Sequence, residues 1–199
     1  MNDTQLQELL YQALETEIGG QDVYRTAISC ALNDDLREEW EKYLEETTRH
    51  EEILRNLFAE LGLDPEQETP GRQVVRHIGE SLVAAMELAK ANAPAEAAEL
   101  VAGECVVHAE TKDHLNWSLM QFAAEKASKD TKAALTAAIE AVEDQEDEHL
   151  YHSKGWTREL WLQSLGLAAA LPPPEERKHV VTAIGAERAA NARDDYVKS

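Results

Sequence analysis

Residues 135–160 read LTAAIEAVEDQEDEHLYHSKGWTREL. Within this stretch Leu135, Ile139, Val142, Glu146, His149, Ser153, Trp156 and Leu160 recur in alternating steps of four and three, so they share one seam of an α-helix. Leu, Ile, Val and Trp on a seam face a core. Glu146 and His149 sit in the middle of that seam. A carboxylate buried without a partner costs several kcal/mol, so other segments must supply partners.

Three more helices with similar seams precede it. The first is expected from Asp3 or Thr4, both good caps, to near Leu32, with the seam Leu10, Leu14, Glu17, Gln21, Tyr24, Ile28. Gly19-Gly20 costs it helix propensity and marks a place where a neighbour could come close. The second starts near an Asn33 cap and stops at Gly62, with Leu36, Trp40, Tyr43, Thr47, His50, Leu54, Leu57 and Leu61 on its seam. After a loop over 64–72, residues 73–90 form a less regular helical stretch. Pro94 then opens the third helix, with Asn92 as its expected cap, running to about Ala127 along Leu100, Gly103, Val107, Glu110, His114 and Trp117. Residues 128–130 break the pattern, and the fourth helix continues to about Leu165.

The two halves echo each other. With Glu17 set over Glu110, Leu14 falls on Val107, Gln21 on His114 and Tyr24 on Trp117. With His50 set over His149, Thr47 falls on Glu146 and Leu57 on Trp156. Glu17, His50, Glu110, Glu146 and His149 therefore meet in one core layer. No Lys or Arg lies on any of the four seams, so a divalent cation is the simplest compensation. Mixed carboxylate and imidazole donors suit iron, manganese or zinc better than calcium or magnesium.

Glu17 with Tyr24, TTRHEEIL around His50, Glu110, and EDQEDEHL with Glu146 and His149 resemble the ferritin-like superfamily. The likeness is closest to di-iron carboxylate bundles of the bacterioferritin and rubrerythrin type, and it covers roughly residues 5–165. That family takes one Glu from each of two helices and Glu-x-x-His from each of the other two. The resemblance implies an all-α, ferritin-like four-helix bundle with a long, partly helical crossover. It implies a di-metal site of two irons, with manganese or zinc as substitutes, held by Glu17, His50, Glu110, Glu146 and His149. It also implies redox chemistry: oxidation driven by dioxygen or peroxide, or oxidation of iron itself. No Cys-x-x-Cys pair is present, so a di-iron oxidoreductase of this kind needs an external reductant. Tyr24 and Trp117, flanking the cluster, are either core filling or redox relays.

Thr47 departs from the pattern, which wants Glu three residues before His50. Three readings stay open: Glu46 reaches the site through a π-bulge; His114 supplies the ligand; or the site is weakened and holds one metal or none. Glu46, His114, Gln21 and Thr47 are accordingly candidates as ligands or as groups orienting the ligands. Glu143, Glu104, His108 and His152 are assigned to the surface or boundary. A non-catalytic structural or stress protein with a degenerate or vacant site is the alternative function.

The totals narrow the field. The chain has 199 residues, with 43% hydrophobic and only 6% aromatic, favouring a helical globular domain. The three prolines of LGLAAALPPPEERK divide a bundle, 1–167, from a linker and an extra C-terminal helix, 168–199. That helix is expected outside the bundle or against another subunit of a homo-oligomer. The net charge of −20 argues against nucleic acid and anionic membranes as partners. Cys30 and Cys105 read as buried thiols of a reducing compartment. With no signal pattern at the N-terminus and no apolar run near the roughly 20 residues of a membrane span, a cytoplasmic protein is expected.

Overall fold

The computed structural model describes residues 2–199. They form nine helices: α1 Asp3–Cys30, α2 Asp34–Leu61, α3 Pro70–Asn92, α4 Ala95–Lys126, α5 Lys129–Glu140, α6 Glu143–Ser164, α7 Pro174–Arg177, α8 Ala183–Asn191 and α9 Arg193–Lys198. No strand occurs among the described residues, and none of these helices is long and apolar enough to cross a membrane.

Local chemistry sets most boundaries. Asn2, rather than Asp3 or Thr4, caps α1 by accepting from the Gln5 amide, and Asn33 caps α2 by accepting from the Leu36 amide. Gly62 ends α2 in the left-handed conformation (φ 69°) that costs glycine little. Thr69 caps α3 with Pro70 in its first turn, and Pro94 itself takes the cap position of α4 while Asn92 closes α3.

The long helices α1, α2, α4 and the α5–α6 segment pack around one interior, with α1 against α2 and α4, and α4 against α5 and α6. Helix α4 runs antiparallel to α1: Glu99 takes the Leu32 and Asn33 amides at the end of α1, and Asn116 reaches Thr16. The crossover helix α3 runs parallel to α1 and also touches α4. It is pinned by Glu8 to the Gly71 amide (2.8 Å), by Arg72 and Arg76 on Glu15 (2.6 and 2.7 Å), and by Lys90 to Ser29 (2.9 Å). A Cβ added to Gly79 would lie 3.9 Å from the Gly19 Cα, and one on Gly20 would lie 3.4 Å from Thr47. The Gly19-Gly20 pair thus allows close packing by α3 on one side and α2 on the other.

Two apolar clusters fill the interior. One holds Leu10, Leu14, Leu54, Phe58, Met120 and Leu135; the other holds Tyr24, Leu36, Trp40, Val106, Trp156 and Leu160. The polar residues of the seams lie between them in sequence on each helix.

The fourth predicted helix is not continuous. It breaks at Ala141–Val142, where Ala141 and Val142 bond three residues back, to Ala138 and Ile139, instead of four. Helix α6 then starts anew with Glu143, Asp144 and Glu146 in its first turn, where the helix dipole favours negative charge. The acidic run that read as a mid-helix stripe is a helix start. The C-terminal segment also differs from a single helix. It forms α7, α8 and α9, with α7 and α8 against α6. Glu159, fully buried on α6, accepts from Arg193 (2.9 and 3.1 Å), Arg158 (2.9 Å) and the Ala170 amide (2.8 Å). Arg158 also forks onto Glu175.

Candidate metal centre

Glu17 on α1, His50 on α2, Glu110 on α4, and Glu146 and His149 on α6 are all buried, none more than 3% exposed. Glu17, His50 and Glu146 each offer a donor atom, and those atoms lie within 4.8 Å of one another. Beside them His149 Nδ1 lies 3.6 Å from Glu110 Oε2, and the two imidazole rings stack with centroids 5.7 Å apart.

Both histidines turn the same way. His50 Nε2 meets Gln145 Oε1 at 2.8 Å and His149 Nε2 meets Glu46 Oε2 at 2.9 Å. An amide or carboxylate oxygen can only accept, so each Nε2 carries a proton. Where the ring is neutral, Nδ1 then bears the lone pair, and it points inward. His50 Nδ1 lies 2.7 Å from Glu146 Oε1, yet neither atom has a hydrogen bond of acceptable geometry, and Glu146 Oε2 and His149 Nδ1 are also unpartnered. Gln145 ties the outer groups together by donating to Glu46 Oε1 (3.2 Å).

The two remaining glutamates are held reciprocally. Tyr24 of α1 donates to Glu110 of α4 (2.7 Å), and Trp117 of α4 donates to Glu17 of α1 (3.0 Å). The internal repeat therefore has a physical counterpart: each half supplies one carboxylate and the aromatic donor that steadies the other. In each carboxylate the second oxygen, Glu17 Oε2 and Glu110 Oε2, has no partner.

Asp113, absent from the predicted site, joins it. It is 5% exposed and its Oδ1 is unpartnered; beyond the effect of burial, its charge raises the Glu17 carboxyl, and the charges of Glu146 and Glu110 raise its own. The seam through Val107 and His114 is rotated from the truly buried face, which runs through Val106, Glu110, Asp113 and Trp117. Val107 and His114 lie at its edge, and His114 pairs with Asp147 at 2.7 Å, each roughly a quarter exposed. The spacing Glu110-x-x-Asp113 was the available signal.

The other candidates separate cleanly. Glu46 is buried (5%), but it stands on the outer nitrogen of His149 and needs no π-bulge to do so. Gln21 turns away to Glu51 (2.6 Å) and Arg25 (3.0 Å). Thr47 is buried against Gly20. His152, assigned to the boundary, is 2% exposed, because the tail covers this face of α6.

Four carboxyls in this layer have no lysine or arginine to balance them: among the described residues none pairs with Glu17, Glu110, Asp113 or Glu146. Burial and the neighbouring acids raise the carboxyls of Glu17 and Asp113 well above their usual range. Burial pushes Glu146 up to about 8. Burial opposes a charge on His149, but Glu110 and Glu46 outweigh it and raise the ring to about 10, while burial and the His149 charge lower His50. Without cations, then, the centre holds protons. Glu17, His50 and Glu146, with donor atoms within 4.8 Å of one another, and the unpartnered carboxylate oxygens of the layer are a donor set compatible with divalent ions.

No known protein family, curated protein or solved structure matches the chain.

Proposed function

We propose that this chain is a ferritin-like metalloprotein whose four-helix core holds two iron or manganese ions and uses them for oxidation–reduction. The observation that carries the reading is the 2.7 Å approach of His50 Nδ1 to Glu146 Oε1 without a hydrogen bond, in a layer of buried, unpartnered acids. Glu17, His50 and Glu146 would hold one ion. Glu110, His149 and Asp113 are the donors beside it, which makes four carboxylates and two histidines. Such ions, when bound, supply electron-transfer chemistry toward an oxidant of the dioxygen or peroxide class.

The chain's own residues do the rest. Glu46 and Gln145 fix the rotation and tautomer of the two histidines, as carboxylate and amide partners do behind metal-bound imidazoles. Tyr24 and Trp117 each hold one carboxylate oxygen, leaving the other free to ligate. The apolar clusters on either side exclude water and keep the charges of the layer strong. Tyr43, with its ring centroid 4.1 Å from that of His149, adds a further aromatic contact at the layer.

Thr47 is the observation that favours the runner-up, a structural protein with a vacant site; Asp113 weighs against it by restoring the carboxylate count. Anaerobic reconstitution with ferrous iron followed by elemental analysis separates the two. Two equivalents per chain, reduced by at least one in Glu146→Ala and His149→Ala and accompanied by iron oxidation on exposure to air, is the expected result. A folded protein that takes up none overturns the proposal.

A further inference from the structure

A small apolar cavity lies where the crossover helix α3 meets α1 and α4. It measures about 50 Å³ and is lined by Gly20, Val23, Val75, Ile78, Leu82 and Ala109 among others. The polar side chains beside it already have partners. Glu15 holds Arg72 and Arg76 (2.6 and 2.7 Å), Thr16 donates to the Gln12 carbonyl (2.8 Å) and accepts from Asn116 (2.9 Å), and Lys112 donates to Asn116. His108 is exposed.

The frame around the cavity is fixed. Helix α3 is pinned near its two ends by Glu8 and Lys90, and between them Gly79 rests on Gly19. Water gains little in such a space, because a buried water needs about two to four polar partners. Apolar cavities stay dry and take apolar guests: one of about 150 Å³ admits benzene or xenon. With about a third of that volume, this cavity is too small for the side chains of a docking protein and large enough for a diatomic molecule. Ile78, 52% exposed, stands at its mouth.

We propose that this cavity binds dioxygen. The guest is neutral and apolar, so the walls need supply no hydrogen bond. Peroxide would lose its bonds to water there without replacement, and is excluded on that ground. The use of such a guest rests on the metal centre proposed above. Thr16 and Gly20 flank Glu17 on α1, and Ala109 and Lys112 adjoin Glu110 and Asp113 on α4. The cavity therefore backs onto the two helices that carry three of the four acids, and dioxygen held there waits beside the centre.

Methyl relaxation of the full, metal-free chain under dioxygen pressure, referenced to nitrogen, tests it. The Val23 and Val75 methyls should relax faster under dioxygen than those of Leu14 and Leu54, which are buried elsewhere in the core. Ala109→Leu puts a larger side chain into the cavity and should abolish the excess. Gly79→Ala narrows the same space without a clash, its Cβ lying 3.9 Å from the Gly19 Cα, and decides the matter if Ala109→Leu does not fold. No excess over Leu14 and Leu54 overturns the proposal, as does an excess that persists in both variants. In the iron-loaded chain, Ala109→Leu should keep the parent's iron stoichiometry and raise the KM for dioxygen; an unchanged KM overturns the role beside the centre. The methyl measurement needs no metal, so a chain that shows the excess yet takes up no iron refutes the redox reading and retains the cavity.

Discussion

Asp113 is where helix phase matters most. One residue along an ideal helix is about 100° of rotation, and that step separates a buried carboxylate from His114 at the edge of the layer. In metal-free protein Asp113→Asn removes a buried acid crowded by others. Its carboxyl lies far above its unfolded value, so the stability it lends is present at low pH and is lost as pH rises. The asparagine variant should therefore melt higher than the parent at pH 8 without metal, yet bind metal more weakly; a lower melting temperature would mean the acid is solvated. Metal uptake has its own pH dependence. Glu146, at about 8, must lose a proton to ligate, so affinity should rise about tenfold per pH unit between pH 6 and 8 for that proton alone. Chelator competition measures this, and a flat profile contradicts it. Tyr24→Phe and Trp117→Phe, which release Glu110 and Glu17, should each weaken metal binding by about 10–100-fold. Thr47→Glu should not raise the stoichiometry, because in the proposed centre Asp113 supplies the fourth acid.

Helix α3 owes its docking to Glu15, which is 4% exposed and shared by Arg72 and Arg76. Burial by itself would raise this carboxyl, but the hydrogen bonds from Arg76 and Arg72 outweigh it and hold it below its usual value. Its contribution is therefore present above the unfolded value and is lost as pH falls through the folded one. Glu15→Gln leaves the buried Arg72 short of a counter-charge and should cost about 3–5 kcal/mol, measured by denaturant unfolding at pH 7, with the difference shrinking in acid. The break between α5 and α6 belongs to the same level of organisation. Periodicity continued across Val142 with no proline or glycine to interrupt it, so the sequence offered no stop signal. The acids at 143–148, read instead as a helix start, were the cue.

The tail binds the body through Glu159, whose partners come from residues 11 and 34 positions away. Arg193→Ala removes one of them and should cost about 1–3 kcal/mol, lowering the melting temperature by several degrees. No change would mean that the tail is loosely attached. The same tail covers His152, and this long-range contact explains why a residue that reads as boundary is buried.

Much of this molecule was readable before folding. Seam spacing, caps and breakers describe near-neighbour chemistry, and they placed the four long segments and set Glu17, His50, Glu110, Glu146 and His149 on apolar faces. Burial of those five acids and imidazoles is what their positions on the seams required. The orientation of each group was not readable. That Glu46 stands behind His149, that Tyr24 and Trp117 exchange carboxylates between helices, and that Asp113 enters while His114 stays out depend on partners up to about a hundred residues away. Such contacts depend on how helices rotate against one another, and that rotation is chosen by the packing of the whole interior rather than by any one segment.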